Sequence, residues 1–194
     1  MHKEKQLTNY LKDYHVITLK EARVVGIDPM TMTRAVRKGL IFRLSRGVYT
    51  IDKDIMFDPL KKYLPIAVQF PSAVIALISA LSFHELTDEE ERKIWIALPH
   101  SKKVQGQKNL KITRRSGLAY TLGIETHEIG KRVIKIYDPE KCIIDSFKYL
   151  TEEVAIKALK LYLKRKNVNI PKLLEYGKKL KRPISEKVKM ITTE

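Results

Sequence analysis

Apolar positions in the first fifty residues recur at helical spacing and then give way to short β-prone runs. Leu7, Tyr10, Leu11 and Tyr14 repeat at intervals of three and four, which predicts an amphipathic helix over residues 3–13. In "TLKEA", Thr18 can cap a second short helix while Glu21, three positions on, reaches back to complete a capping box. Gly26 allows the left-handed turn that ends such a helix. Asp28 then caps a third helix, with Pro29 at its first position where a missing N–H costs nothing, and Gly39 stops it. Met32, Ala35 and Val36 are expected on the buried face of that helix, and Thr31, Arg34, Arg37 and Lys38 on its other faces. After Gly39, "LIFRL" and "VYTI" flank "SRG", the pattern of a hairpin with Arg43 on the ribbon and Arg46 at its tip.

Further along, "DKDIMFDPLKKYLP" mixes charge with two prolines and little periodicity, so the expected division is 1–58, a 59–65 linker, and 66–194. "SAVIALISALSFHEL" reads as a mostly buried helix capped by Ser72, and "KIWIALP" as a short buried strand. "LKITRRS", "IETHEIG" and "KRVIKIYD" read as further strands, with turns at Gly117, Gly123 and Gly130. "DPEKCIIDSFKYL" starts a helix with Asp138 as cap, and "TEEVAIKALKLYLKRK" is a helix whose acids come first and bases last, complementing its dipole. Helices in "PKLLEYGKKLKR" and "PISEKVKMITT" follow. The fold class is α+β: an N-terminal winged helix-turn-helix, then a larger mixed α/β domain with a C-terminal helical segment.

Composition adds a strong electrostatic bias. The formal charge is +16 over 194 residues, which favours an anionic partner such as nucleic acid, an acidic protein or a membrane surface. The excess is spread as +4, +5 and +7 over residues 1–60, 61–150 and 151–194. The longest apolar run, "AVIALISALSF", falls well short of the ~20 residues a membrane span needs, and the start of the chain lacks an apolar secretory core. A single cysteine, Cys142, reads as a small core residue. The expected location is the bacterial cytoplasm.

Three helices followed by a ribbon make a winged helix, and Asp and Glu are missing between Thr31 and Ile51. The candidate DNA-binding residues are therefore Thr31 and Thr33, near bases or phosphates, and Arg34, Arg37, Lys38, Arg43 and Arg46, which would neutralise phosphates. The same fold can serve only protein interaction, with those cations as a solvated face. One such module reads few base pairs, so two copies of a solution monomer on inverted repeats of double-stranded operator DNA are expected.

Candidate chemistry elsewhere is thin. His84 and Glu85 superficially match a metalloprotease motif, but Asp88 stands where the second histidine is needed. Glu125 and Glu128 are wrongly spaced from a lysine for a nuclease site, and "GQKNLK" lacks the elements of a phosphate loop. Asp138 and Asp145 read as a helix cap and a polar helix position. No catalytic residue, metal site or cofactor is expected. The basic segment 157–182 can be a second phosphate-contacting face, a solvated surface, or one that meets an acidic partner, and its Tyr162 and Tyr176 are expected to pack rather than stack on bases.

"GLIFRLSRGVY", "ALISALSFHELT" closely followed by "IWIALP", and "RVIKIYDPEKCIIDSF", in that order, resemble the AbiEi antitoxin family of type IV toxin–antitoxin systems. The resemblance implies a non-enzymatic winged-helix repressor of its own operon, joined to a domain that counters a nucleotidyltransferase-like toxin, functionally if not by contact. It places DNA contact on residues 28–38 and the wing around Arg46. A stand-alone winged-helix regulator with a partner- or ligand-sensing second domain is the alternative; an enzyme such as a nuclease delivered by the winged helix is a further one.

Overall fold

A computed structural model describes residues 2–102 and 108–193, so Gly106 and Gln107 of "GQKNLK" lie outside the described residues. The chain divides into two compact units, residues 1–71 with 126–134, and residues 72–125 with 135–194.

The first unit opens with α1 (His2–Tyr14), β1 (Val16–Thr18), α2 (Leu19–Val24) and α3 (Pro29–Arg37). The Thr18–Glu21 capping box is complete at the start of α2, and Asp28 accepts the Thr31 amide at the start of α3. Gly26, at φ 78°, turns the chain between α2 and α3 in the left-handed region that a side chain would disfavour. The wing is β2 (Phe42–Ser45) and β3 (Val48–Thr50), antiparallel with an irregularity at Leu44. β1, which the helical reading of the start does not foresee, pairs antiparallel with β3 and makes the sheet three-stranded in the order β1-β3-β2. Leu7 and Leu11 of α1, Ile17, Ala22, Ile27, Met32, Ala35 and Ile41 form the core beneath these elements. Apolar burial of this kind contributes roughly 25 cal/mol per Å2.

The segment expected as a linker is structured. After one turn of 3-10 helix at Ile55–Phe57 comes a second at Lys61–Tyr63, leading into α4 (Leu64–Gln69). Tyr63 and Leu64 are fully buried. Residues 126–134 also fold with this unit, an arrangement that no local pattern announces.

A five-stranded mixed sheet runs in the order β6-β5-β4-β8-β7, with β4, β5 and β6 in the second unit. Its strands are β4 (Val74–Ile75), β5 (Ile94–Pro99), β6 (Leu110–Arg115), β7 (Ile124–Ile129) and β8 (Arg132–Tyr137). The helix expected from a Ser72 cap begins later, as α5 (Leu77–Phe83), because Val74 and Ile75 enter the sheet. They pair with Ala97 and Ile96 of β5, and Ile75 with Ile136 of β8. β-branched residues suit a pleated central strand better than a helix, where their side chains are crowded. A short α6 (Leu118–Thr121) follows β6. The remainder is helical: α7 (Pro139–Tyr149), α8 (Glu152–Leu163), α9 (Ile170–Lys179) and α10 (Ser185–Thr193). Asp138 caps α7 and Thr151 caps α8. No helix among the described residues is long and apolar enough to cross a membrane.

Candidate nucleic-acid interface

α3 buries one narrow face and exposes the rest. Thr31, Met32 and Ala35 point inward. Val36 does not join them: it is 37% exposed, so its expected place in the core passes to Thr31. Thr31 is correspondingly taken out of the outward-facing set. Its hydroxyl donates to the Asp28 carboxylate at 3.1 Å and its amide does so at 2.8 Å, so the residue belongs to the helix cap.

On the exposed side, Met30, Thr33, Arg34 and Arg37 follow one another at i, i+3, i+4 and i+7, which is a single stripe of an α-helix. The Thr33 hydroxyl donates back to the Pro29 carbonyl at 3.0 Å. Met30 is 65% exposed, and the helical period alone puts it beside Thr33 and Arg34. A large apolar side chain thus stands in water at the start of α3, on the same stripe as Arg34 and Arg37.

Charge around the stripe is unbalanced. Among the described residues no carboxylate lies within ion-pair distance of Arg37, Arg43 or Arg46, and Arg34 acts on Glu4 only through its field, without an ion pair. Arg43 donates from Nε to the Ser45 carbonyl at 3.3 Å, which steadies it along the wing, and Arg46 is exposed in the turn between the two wing strands. Lys38 is different, because its ammonium reaches both Glu4 oxygens at 2.8 and 3.0 Å. That hydrogen bond holds the Glu4 carboxyl below its ordinary range and ties the end of α3 to α1. At the other end, Lys3 bonds Asp28 at 2.9 Å, and together with the Thr31 amide it holds the Asp28 carboxyl far below the usual carboxylate range. The cap is thus ionised at any ordinary pH and favours the positive end of the helix dipole.

Residues singled out in the second unit have structural partners. The His84 ring nitrogen Nε2 lies 2.7 Å from the Tyr137 carbonyl. Cys142 is buried, donates weakly to the same carbonyl, and has its thiol pushed well up by burial, the opposite of a nucleophile's environment. No group of three or more His, Cys, Asp or Glu among the described residues is arranged to hold a metal ion. Asp145 corrects its expected reading as a polar helix position. It is 2% exposed and accepts from both Arg115 and Lys141, themselves buried. Burial opposes the Lys141 charge and lowers its pKa, whereas at Arg115 the carboxylate outweighs burial and raises it.

The basic segment 157–182 is in part neutralised within the fold. Lys157 pairs with Asp88, Lys172 with Asp138 and Glu140, and Lys179 with Glu175. Tyr162 and Tyr176 pack as expected: Tyr162 donates to Glu140 at 2.7 Å, and Tyr176 to Asp138 at 3.1 Å.

Residues 5–51 match the family model described as "Transcriptional regulator, AbiEi antitoxin", a span that covers α1 through the wing. No curated protein matches the chain. Among solved structures, the RV2827C protein from Mycobacterium tuberculosis is similar over 98% of this chain and 76% of its own, with a TM-score of 0.59 and 16% identity. That likeness extends the shared fold over nearly the whole chain.

Proposed function

We propose, from the match of residues 5–51 to the AbiEi antitoxin transcriptional regulators, that the chain binds operator DNA and represses its own operon as the antitoxin of a type IV toxin–antitoxin system. The observation that carries the DNA-binding half is the exposed stripe of α3, bearing Arg34 and Arg37, followed by a wing bearing Arg43 and Arg46, with no carboxylate pairing any of the four among the described residues. In this reading the start of α3 enters the major groove with Met30 and Thr33 toward base edges. Arg34, Arg37, Arg43 and Arg46 meet phosphates, and Lys38 does so only in competition with Glu4. Two monomers occupy an inverted repeat. The partner that the antitoxin half counters is a nucleotidyltransferase-like toxin encoded beside it.

Fluorescence anisotropy with DNA from upstream of the operon, against a shuffled duplex of equal length, tests the first half. Preference for the native sequence by a factor of roughly 1,000 or more is expected at fixed salt, and equal binding to both would reject it. Co-expression of the full chain with the neighbouring toxin tests the second half, with restored growth as the expected result.

A regulator with a ligand-sensing second unit is the second reading, and the open cleft in that unit favours it. A gene neighbourhood without a nucleotidyltransferase would support this reading over the antitoxin.

A further inference from the structure

Within the second unit lies an open cleft of about 720 Å3, inside the range of sites that take small organic ligands. Its apolar wall is made by Ile78, Trp95, Tyr149 and Val154, contributed by α5, β5, α7 and α8. Lys111, on the neighbouring strand β6, holds its ammonium 3.9 Å from the centre of the Trp95 ring. Lys93 and Arg92 are exposed at the rim. Two carboxylates share that rim, Glu89 and Glu90, but Glu90 is bonded by Arg92 at 2.8 Å. The local balance is therefore weakly positive at the surface.

A second source of positive charge lies behind the wall. The Tyr149 ring has the Arg115 guanidinium 5.0 Å from its centre and that of Arg182 at 6.0 Å. Arg115 is buried, and its Nε and Nη2 make no hydrogen bond. Arg115 and Lys141 share the one carboxylate of Asp145. Arg182 also lies 3.8 Å from that carboxylate, and Lys172 pairs with the buried Asp138 and Glu140, so the cluster behind the aromatic wall holds four cations against three anions and is net positive. An anion placed there would offset that excess, and a flat apolar body would meet the half-buried rings of Trp95 and Tyr149.

We propose that this cleft binds a small planar anion, an aromatic ring bearing a carboxylate, sulfonate or phosphate, with the ring against Trp95 and Tyr149 and the anionic group toward Lys111. The site rests on the second unit alone, so failure of operator binding would leave it standing, and its own failure would leave the DNA reading intact.

Trp95 is the only tryptophan of the chain, so its emission reports this cleft and nothing else. The full chain is titrated with 8-anilinonaphthalene-1-sulfonate and, in parallel, with N-phenyl-1-naphthylamine, which has the same rings and no charge. The sulfonate is expected to bind one-to-one, quenching Trp95 by energy transfer, and to bind about tenfold more tightly than the neutral dye, the weight of one favourable charge interaction. Lys111→Glu should weaken the sulfonate by about tenfold or more and leave the neutral dye unchanged. Lys111 is exposed, so the fold should persist, and the circular dichroism spectrum checks it. Equal affinity for the two dyes, an unchanged affinity in Lys111→Glu, or dye binding that leaves Trp95 emission untouched would each overturn the proposal.

Discussion

Arg132 donates a hydrogen bond to the Glu21 carboxylate at 2.6 Å, across 111 positions of sequence. The same guanidinium donates to the Val16 carbonyl at 2.9 Å and lies over the Tyr14 ring. Beside it, the Lys131 amide donates to the Asp13 carbonyl at 2.9 Å. The α2 capping box of the winged helix is therefore held from outside by residues that follow it by more than a hundred positions. Arg132→Ala should lower the stability of the first unit by roughly 2 kcal/mol, the scale of a hydrogen bond to a charged group. Chemical denaturation followed through the NMR ring signals of Tyr10 and Tyr14 measures it. A fragment ending at residue 71 lacks these ties and should melt at a lower temperature than the same unit in the full chain.

Gly130 makes that contact possible. Its φ is 55°, and a Cβ there would stand 2.1 Å from the Asp13 carbonyl oxygen, a backbone atom that cannot move aside alone. Gly130→Ala should cost more than Arg132→Ala, roughly 2–4 kcal/mol, and should expose the Lys131 amide to rapid hydrogen exchange.

The first unit should also lose stability in acid. Burial raises the Glu21 carboxyl, but bonds from Arg132 and Thr18 outweigh it and hold the group below 4.5. Asp28 is held well below 3.8 by Lys3 and the Thr31 amide. Groups lowered in the folded state take up protons first in the unfolded chain. Their stabilisation is complete above about pH 5 and is lost as pH falls through their folded values. Urea midpoints should accordingly drop below about pH 4.5, and Glu21→Gln should flatten the Glu21 part of that drop.

Asp145→Ala should be among the most damaging single changes in the second unit. It leaves Arg115 and Lys141 buried without their shared carboxylate, a loss of roughly 3–5 kcal/mol. Thermal unfolding of the variant checks it, with an unchanged midpoint as the contrary result.

What could be read in the sequence was local. The capping box at Thr18 and the Asp28–Pro29 and Asp138–Pro139 starts depend on residues three or four apart, and each stands where the pattern puts it. The burial of Thr31 is not legible, because a helical period assigns a face without saying how wide the buried strip is. β1, β4, the docking of residues 126–134 and the burial of Asp145 depend on partners distant in the chain, and a two-residue strand carries no period of its own. Val74 and Ile75 read equally well as the head of the helix that follows.

Met30 offers a way to separate sequence reading from charge. Met30→Ala should leave the salt dependence of operator binding unchanged while relaxing preference at one base pair by about 1 kcal/mol, the expected consequence of losing an apolar contact to a thymine methyl. Competition among operator variants reads this directly, and an unaltered preference would remove Met30 from the interface.

The most direct measurement is the salt dependence of operator affinity for the parent chain and for Arg34→Ala/Arg37→Ala/Arg46→Ala. If these side chains meet phosphates, the slope of log K against log salt should become shallower by about two to three, close to one per contact removed. An unchanged slope and affinity in a folded variant would show that the stripe and the wing lie away from the DNA.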